Sequence, residues 1–281
     1  MEAVEPLYGQ YSIQERIAEG GMGVAFLARD TKKGNRLCLI KQFHLSQQNI
    51  KHRSKLLPYF KKEASTLKSL GSTVERIPKM YDYFEVDGEY YLVQEFIEGQ
   101  TLQKRVEKDG PLNESQARRF LLDFLDTLAK IHRHPVLHRD INPKNIILRK
   151  DDGAPILIDF GIVKEIATRL LGQGDDALTS TGIGTEGYSP PEQLTGKGVF
   201  PCSDLFSLGV TVAYMLTGKS PLLFSNNDEG IYQWKQFCPE ISSGFESFIN
   251  KAIEFDYKKR YQSADEMLQG LHELTVLLLQ L

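Results

Sequence analysis

The stretch that decides the fold reads His138-Arg139-Asp140-Ile141-Asn142-Pro143-Lys144-Asn145, followed by the apolar Ile146-Ile147-Leu148. A second apolar run, Ile156-Leu157-Ile158, leads into Asp159-Phe160-Gly161. Two short β-rich runs parted by a turn read as a hairpin. Asp140, Asn145 and Asp159 then bring three oxygen-bearing side chains to one place. Magnesium takes a few carboxylate or carbonyl oxygens and completes its shell with phosphate and water. The competing reading is a pair of Asx-rich turns flanking a hairpin. Either half alone fits that reading, but both halves in this order favour a site for metal and phosphate.

Upstream, residues 11–17, 24–28 and 37–43 are β-rich, punctuated by Gly20-Gly21-Met22-Gly23 and Lys33-Gly34-Asn35. Glycines let a backbone approach phosphate oxygens and aim its N–H groups at them. No helix follows this loop, so it is neither a dinucleotide fingerprint nor a P-loop, and taken alone it reads equally as a hairpin turn. Lys41 closes the apolar run Cys38-Leu39-Ile40. By itself it reads as a solvated strand-end lysine. A helix follows at 59–70, with Phe60, Ala64, Leu67 and Leu70 on one face and Glu63 beside them. Two more strands, 81–86 and 90–96, are joined by Asp87-Gly88-Glu89, a hairpin signal.

After Gly99 the texture is helical. Asn113 with Gln116 makes a capping box ahead of an apolar stripe over 116–131, residues 207–217 are apolar, and Ser263 with Glu266 caps a last helix. The outline is a small β-rich part, a hinge near 95–99 and a larger helical part.

With these motifs assembled, the chain resembles the eukaryotic-type (Hanks-type) serine/threonine protein kinases, in their bacterial form. The family's motifs are a Gly-rich loop, a strand lysine with a helix glutamate, H-R-D-x-x-x-x-N, D-F-G and A-P-E. All stand here in order, from Tyr11 to the helix after Ser263, with G-G-M-G, G-T-E-G-Y-S-P-P-E-Q and S-D-L-F-S-L-G-V among the phrases. The resemblance implies an α+β, protein-kinase-like bilobal fold. A small antiparallel sheet with one main helix would form the N-lobe, a larger mostly helical part the C-lobe, and ATP would bind in the cleft. The division would be a tail at 1–10, an N-lobe at 11–97, a C-lobe at 98–276 and an end segment at 277–281.

The resemblance also assigns roles. Ala18, Gly20, Gly21, Gly23 and Ala25 would cover the nucleotide. Lys41 would hold the α/β-phosphates and pair with Glu63. Gln94 falls at the gatekeeper position, and Glu95 to Ile97 would hydrogen-bond adenine through the backbone. Asp140 would accept the substrate hydroxyl proton. Asn145 and Asp159 would hold Mg2+, with Mn2+ as a substitute. Thr185, in Gly184-Thr185, marks a Ser/Thr-type docking loop. The polar stretch 172–184 reads as an activation loop, with Thr179 and Thr181 as phosphosites and Arg139 as their partner. Glu192 would pair with Arg260, and Asp204 would hold the catalytic loop.

Three departures stand out. Ala18 replaces the first loop glycine, and Ala25 the usual valine. Asn142 replaces the lysine that usually touches the γ-phosphate, two residues after Asp140. Lys144, four residues after Asp140, stands where tyrosine kinases carry an arginine, so it is expected to supply the missing charge. The second hypothesis is a pseudokinase that binds nucleotide as a scaffold. A small-molecule phosphotransferase is the third, and Glu192 and Thr185 argue against it.

The composition agrees. The chain has 281 residues, 41% hydrophobic, and a net charge of -3, enough for one large domain and without the basic balance of a nucleic-acid binder. Three scattered cysteines suit a reducing compartment. No apolar run is long enough to span a bilayer. The expectation is a cytoplasmic enzyme with protein substrates, a transient homodimer for trans-autophosphorylation, no nucleic acid and no membrane segment. His132, His134 and His138 cluster in sequence, but the kinase motif accounts for His138 and the helix end for His132.

Overall fold

The computed structural model describes residues 7–20, 23–43, 53–134, 136–160, 184–224 and 232–279. They gather into two compact units, one reaching to Glu98 and the other starting at Gly99.

In the first unit, β1 (Tyr11–Gly20), β2 (Gly23–Asp30), β3 (Arg36–Phe43), β4 (Met80–Val86) and β5 (Glu89–Glu95) form one antiparallel sheet in the order β1-β2-β3-β5-β4. Asp87 (φ 50°) and Gly88 (φ 84°) make the two-residue turn between β4 and β5. Positive φ at both positions gives the turn whose twist matches its strands. Gly23 (φ 143°) opens β2, and a Cβ there would sit 1.8 Å from the Gln42 carbonyl oxygen. Only glycine fits so close to β3. Tyr11, Ala28, Cys38, Ile40, Phe84, Tyr91 and Val93 form the core of the sheet. Phe84 stacks on Tyr11 at 5.6 Å and on Tyr91 at 5.1 Å. Asp30 is buried there, its carboxylate met by Gln10 Nε2 at 2.8 Å and Arg36 Nη2 at 3.1 Å.

The helix α1 (Arg53–Thr73) packs against β4 through the face bearing Ala64 and Leu70. It starts six residues earlier than periodicity suggested, and Pro58 sits inside it. A proline forgoes one hydrogen bond and reads as a boundary, yet here the exposed ring is accommodated.

In the second unit β6 (Gly99–Thr101), β7 (Ile146–Arg149) and β8 (Pro155–Leu157) form a small antiparallel sheet. Six α-helices accompany it among the described residues: α2 (Leu102–Asp109), α3 (Glu114–His132), the short α4 (Pro191–Leu194), α5 (Pro201–Thr217), α6 (Ser243–Ala252) and α7 (Ala264–Leu279). The capping box before α3 is present, with Asn113 Oδ1 accepting from Gln116 N–H and Gln116 Oε1 accepting from Asn113 N–H. Its stripe of Phe120, Leu121, Phe124, Leu125 and Leu128 is buried. The helix α5 is buried along its length except at Pro201. It begins before the expected residue 207 because its first turn is polar, and Ser203 and Asp204 are buried by hydrogen bonding rather than by apolar periodicity. No helix among the described residues is long and apolar enough to cross a membrane.

Candidate active site

The loop from His138 to Asn145 runs into β7 and is held by hydrogen bonds at most of its residues. Arg139 adopts φ 65°, a left-handed conformation that costs a non-glycine residue energy. Neighbouring groups hold it there. The backbone N–H groups of His138 and Arg139 donate to Asp204 Oδ2 at 2.9 Å and Oδ1 at 2.8 Å. Gln193 Nε2 donates to the Arg139 carbonyl at 2.9 Å. Asp204 lies in the first turn of α5, where the helix dipole favours a negative charge. Burial pushes its carboxyl up, but the hydrogen bond and charge of His132 and the donors of His138 outweigh that and hold it below the usual carboxylate range.

His138 fixes its own tautomer. Its Nε2 lies 2.8 Å from the Ile158 carbonyl, an acceptor, so Nε2 carries the proton. Nδ1 is then free to accept the Asp140 N–H at 3.3 Å. The same ring packs against Phe160 at 4.8 Å. One imidazole therefore joins the residue before Asp159, the residue after it, and Asp140.

The Asp140 carboxylate is held from two sides. Thr185 Oγ1 donates to Oδ1 at 2.8 Å, and Asn145 Nδ2 donates to Oδ2 at 3.0 Å. Asn145 Nδ2 also reaches the Asp140 carbonyl at 2.8 Å. With its nitrogen spent on Asp140, Asn145 has its Oδ1 as the atom to offer a cation. The Ile158 N–H donates to the Asn145 carbonyl at 2.9 Å, so Asp159 follows directly on the residue paired with Asn145. Asp159 is exposed, with φ 62°. One amide oxygen and one exposed carboxylate are hard donors that suit a divalent cation keeping its other positions for phosphate and water.

In the first unit the strand register lines up the predicted nucleotide residues. Ala18 faces Ala25, Ala25 faces Lys41, and Lys41 faces Leu92. Directly opposed residues of antiparallel strands share a sheet face, so these four form one row. Gly20 pairs with Gly23 at the end of the β1–β2 hairpin. Burial pulls the Lys41 ammonium down to about 7. The Glu95 N–H donates to the Lys79 carbonyl at 2.8 Å, and Ile97 is half-buried just beyond β5. Gly21, Thr179, Thr181 and the side chain of Glu63 lie outside the described residues.

Residues 11–272 match the family described as the protein kinase domain. The chain belongs to the protein kinase family. Serine/threonine-protein kinase D of Synechocystis sp. is 42% identical over 269 residues, 94% of this chain and 52% of that relative. Serine/threonine-protein kinase PknA of Nostoc sp. is 38% identical over 267 residues, 94% of this chain and 47% of that relative. The chain thus spans about half the length of these curated relatives. Among solved structures, the apo form of PpkA-294 shares the fold with a TM-score of 0.77 at 24% identity, covering 96% of this chain and 99% of that one.

Within this kinase chain the pair Glu192–Arg260 is fully built. Arg260 reaches the two Glu192 oxygens at 2.8 and 3.0 Å and the carbonyls of Glu254 at 2.6 Å and Phe255 at 3.1 Å. Its guanidinium lies 4.5 Å from the Phe206 ring centroid. Three contacts were missed in the sequence. His132, read as a favourable charge at a helix end, does end α3 and also bonds Asp204 through Nε2 at 2.9 Å. Gln193 holds the Arg139 carbonyl. Asn142, read as a lost lysine, is 2% exposed and fully engaged. Lys144 is exposed.

Proposed function

We propose that the chain transfers the γ-phosphoryl group of ATP to serine or threonine hydroxyls of proteins. The observation that carries this is the Thr185 hydroxyl donating to Asp140 Oδ1 at 2.8 Å while Asn145 holds Oδ2. A carboxylate fixed on both oxygens is pre-set to orient an incoming hydroxyl and take its proton. The loop that fixes it is the Ser/Thr type of docking loop. Phosphoryl transfer needs mostly positioning and charge neutralisation, and these residues supply positioning.

The remaining roles follow. Gly20, Gly21 and Gly23 cover the phosphates, Lys41 with Glu63 orients them, and the backbone of Glu95 to Ile97 takes adenine against Ala18 and Ala25. Asn145 and Asp159 hold Mg2+, or Mn2+ in its place, which when bound neutralises phosphate charge. A lysine depressed by burial gains from a polyphosphate beside it, which favours its charged form. Thr179 and Thr181 are phosphorylated in trans within a transient homodimer, and Arg139 receives the phosphate. The described cysteines, Cys38, Cys202 and Cys238, are free and buried, in keeping with a reducing cytoplasm. The acidic net charge suits protein rather than nucleic-acid substrates.

Incubation with Mg-ATP labelled on the γ-phosphate and a generic basic protein tests this. The label is expected on protein Ser and Thr after acid hydrolysis, and label found only on tyrosine, or only on small molecules, contradicts it. Lys144→Ala tests the charge supply. A charged hydrogen bond of roughly 1.5–3 kcal/mol lost in the transition state lowers kcat about 10- to 100-fold. An unchanged kcat removes Lys144 from the mechanism.

A further inference from the structure

We infer that Asn142 is a positioning residue that locks Thr185 onto Asp140, a role that rests on the kinase reading above. A set of hydrogen bonds uses the whole side chain. Nδ2 donates to the Asp140 carbonyl at 3.0 Å and to Thr185 Oγ1 at 3.0 Å. Oδ1 accepts the Lys144 N–H at 2.9 Å. Both amide hydrogens and the amide oxygen are therefore engaged. The orientation is fixed by chemistry. A flipped amide would set oxygen against a carbonyl and nitrogen against an N–H.

The bond to Thr185 has a directional effect. A hydroxyl has one proton and two acceptor sites. Asn142 occupies an acceptor site of Oγ1, so the single proton turns to Asp140 Oδ1, 2.8 Å away. Asn142 thus acts on the Asp140 carboxylate through Thr185 and on its backbone directly. The Lys144 bond sets the turn that leads to Asn145.

This position is built for a neutral amide rather than a cation. A lysine has three donors and no acceptor, so it cannot take the Lys144 N–H. With 2% exposure, the site would also bury an ammonium. Asparagine here is a different solution to the same problem: it gives up charge near the phosphates and gains a fixed donor to the Asp140 carbonyl and a fixed acceptor for the Lys144 N–H.

The test is a double-mutant cycle of Asn142→Ala and Thr185→Val, with kcat and both KM values measured on a generic protein substrate, beside Asn142→Lys. Asn142→Ala is expected to lower kcat roughly tenfold, about 1.4 kcal/mol of barrier, because Thr185 is then held less firmly on Asp140. KM for ATP should stay within about twofold, since the residue does not touch nucleotide. The double variant should be no slower than the slower single one, because both changes break the same link. Asn142→Lys should be slower than the parent. Multiplying losses, a rise in the ATP KM with kcat unchanged, or a faster Asn142→Lys enzyme would each overturn the proposal. If Asn142→Ala does not fold, Asn142→Ser enters the same cycle. Melting temperatures of the same four proteins give a readout free of catalysis, and additive losses there also count against the link. A parent chain that transfers no phosphate would instead overturn the kinase reading, and the melting cycle alone would then decide whether the two residues are coupled.

Discussion

Asp140→Asn is expected to lower phosphoryl transfer by about a thousandfold, within the 10²–10⁴ range of a positioned general base. The change removes the acceptor proposed for the substrate proton but little of the scaffold. The hydrogen bonds to the Asp140 backbone carbonyl, from Asn142 at 3.0 Å and Asn145 at 2.8 Å, survive it. Thr185 can still donate to the amide oxygen. The melting temperature should therefore move by only a few degrees while single-turnover transfer is nearly lost. A variant that keeps more than a tenth of the parent rate would remove Asp140 from the proton step. A variant that no longer melts cooperatively would instead mark Asp140 as structural.

The largest effect on stability is expected for Arg260→Ala. The side chain is fully buried, and the Glu192 partner is nearly so. Ser203 Oγ also donates to Glu192 Oε1, at 2.7 Å. Burial pushes the Glu192 carboxyl up, but the bonds from Arg260 and Ser203 bring it below the usual carboxylate range. Breaking one side of such a pair leaves a buried, uncompensated charge and costs roughly 3–5 kcal/mol. At a few degrees per kcal/mol for a chain of this size, the melting temperature falls by roughly 10 °C. The sign of the pH dependence follows. In the parent the Glu192 contribution is fully present above about 4.5 and fades as pH falls below it. In the variant Glu192 loses the partner that lowered it, so burial raises it and acidification relieves the defect. The gap between the two melting temperatures is expected to be widest near neutral pH and to shrink toward pH 4. A gap below about 2 °C at pH 7, or one that widens on acidification, contradicts this account of the pair.

The order of motifs was enough to read the fold, because glycine loop, strand lysine, His-Arg-Asp and Asp-Phe-Gly each carry a local pattern. The strands of the first unit, the helix α3 with its capping box and the turn at Asp87-Gly88 follow from propensity and spacing, while the pairing of those strands into one sheet was implied by the family resemblance. What escaped the sequence depends on partners far along the chain. His132 meets Asp204 across 72 positions, and Asn142 meets Thr185 across 43. No local rule marks such pairs. Asn142 looked like a deficit because it was compared with the lysine it replaces, not with the hydroxyl and carbonyl it holds. The start of α5 was missed for a related reason: Ser203 and Asp204 are polar residues buried by their hydrogen bonds, where periodicity looks for apolar side chains.

Intact-mass spectrometry after incubation with Mg-ATP, beside Asp140→Asn, asks whether this chain transfers phosphoryl groups to protein hydroxyls through Asp140. The account predicts gains of about 80 Da per phosphoryl group in the parent, mapping to Thr179 or Thr181, and none in the variant. A parent chain that binds Mg-ATP yet gains no mass, on itself or on an added protein, would contradict the claim and favour a nucleotide-binding scaffold.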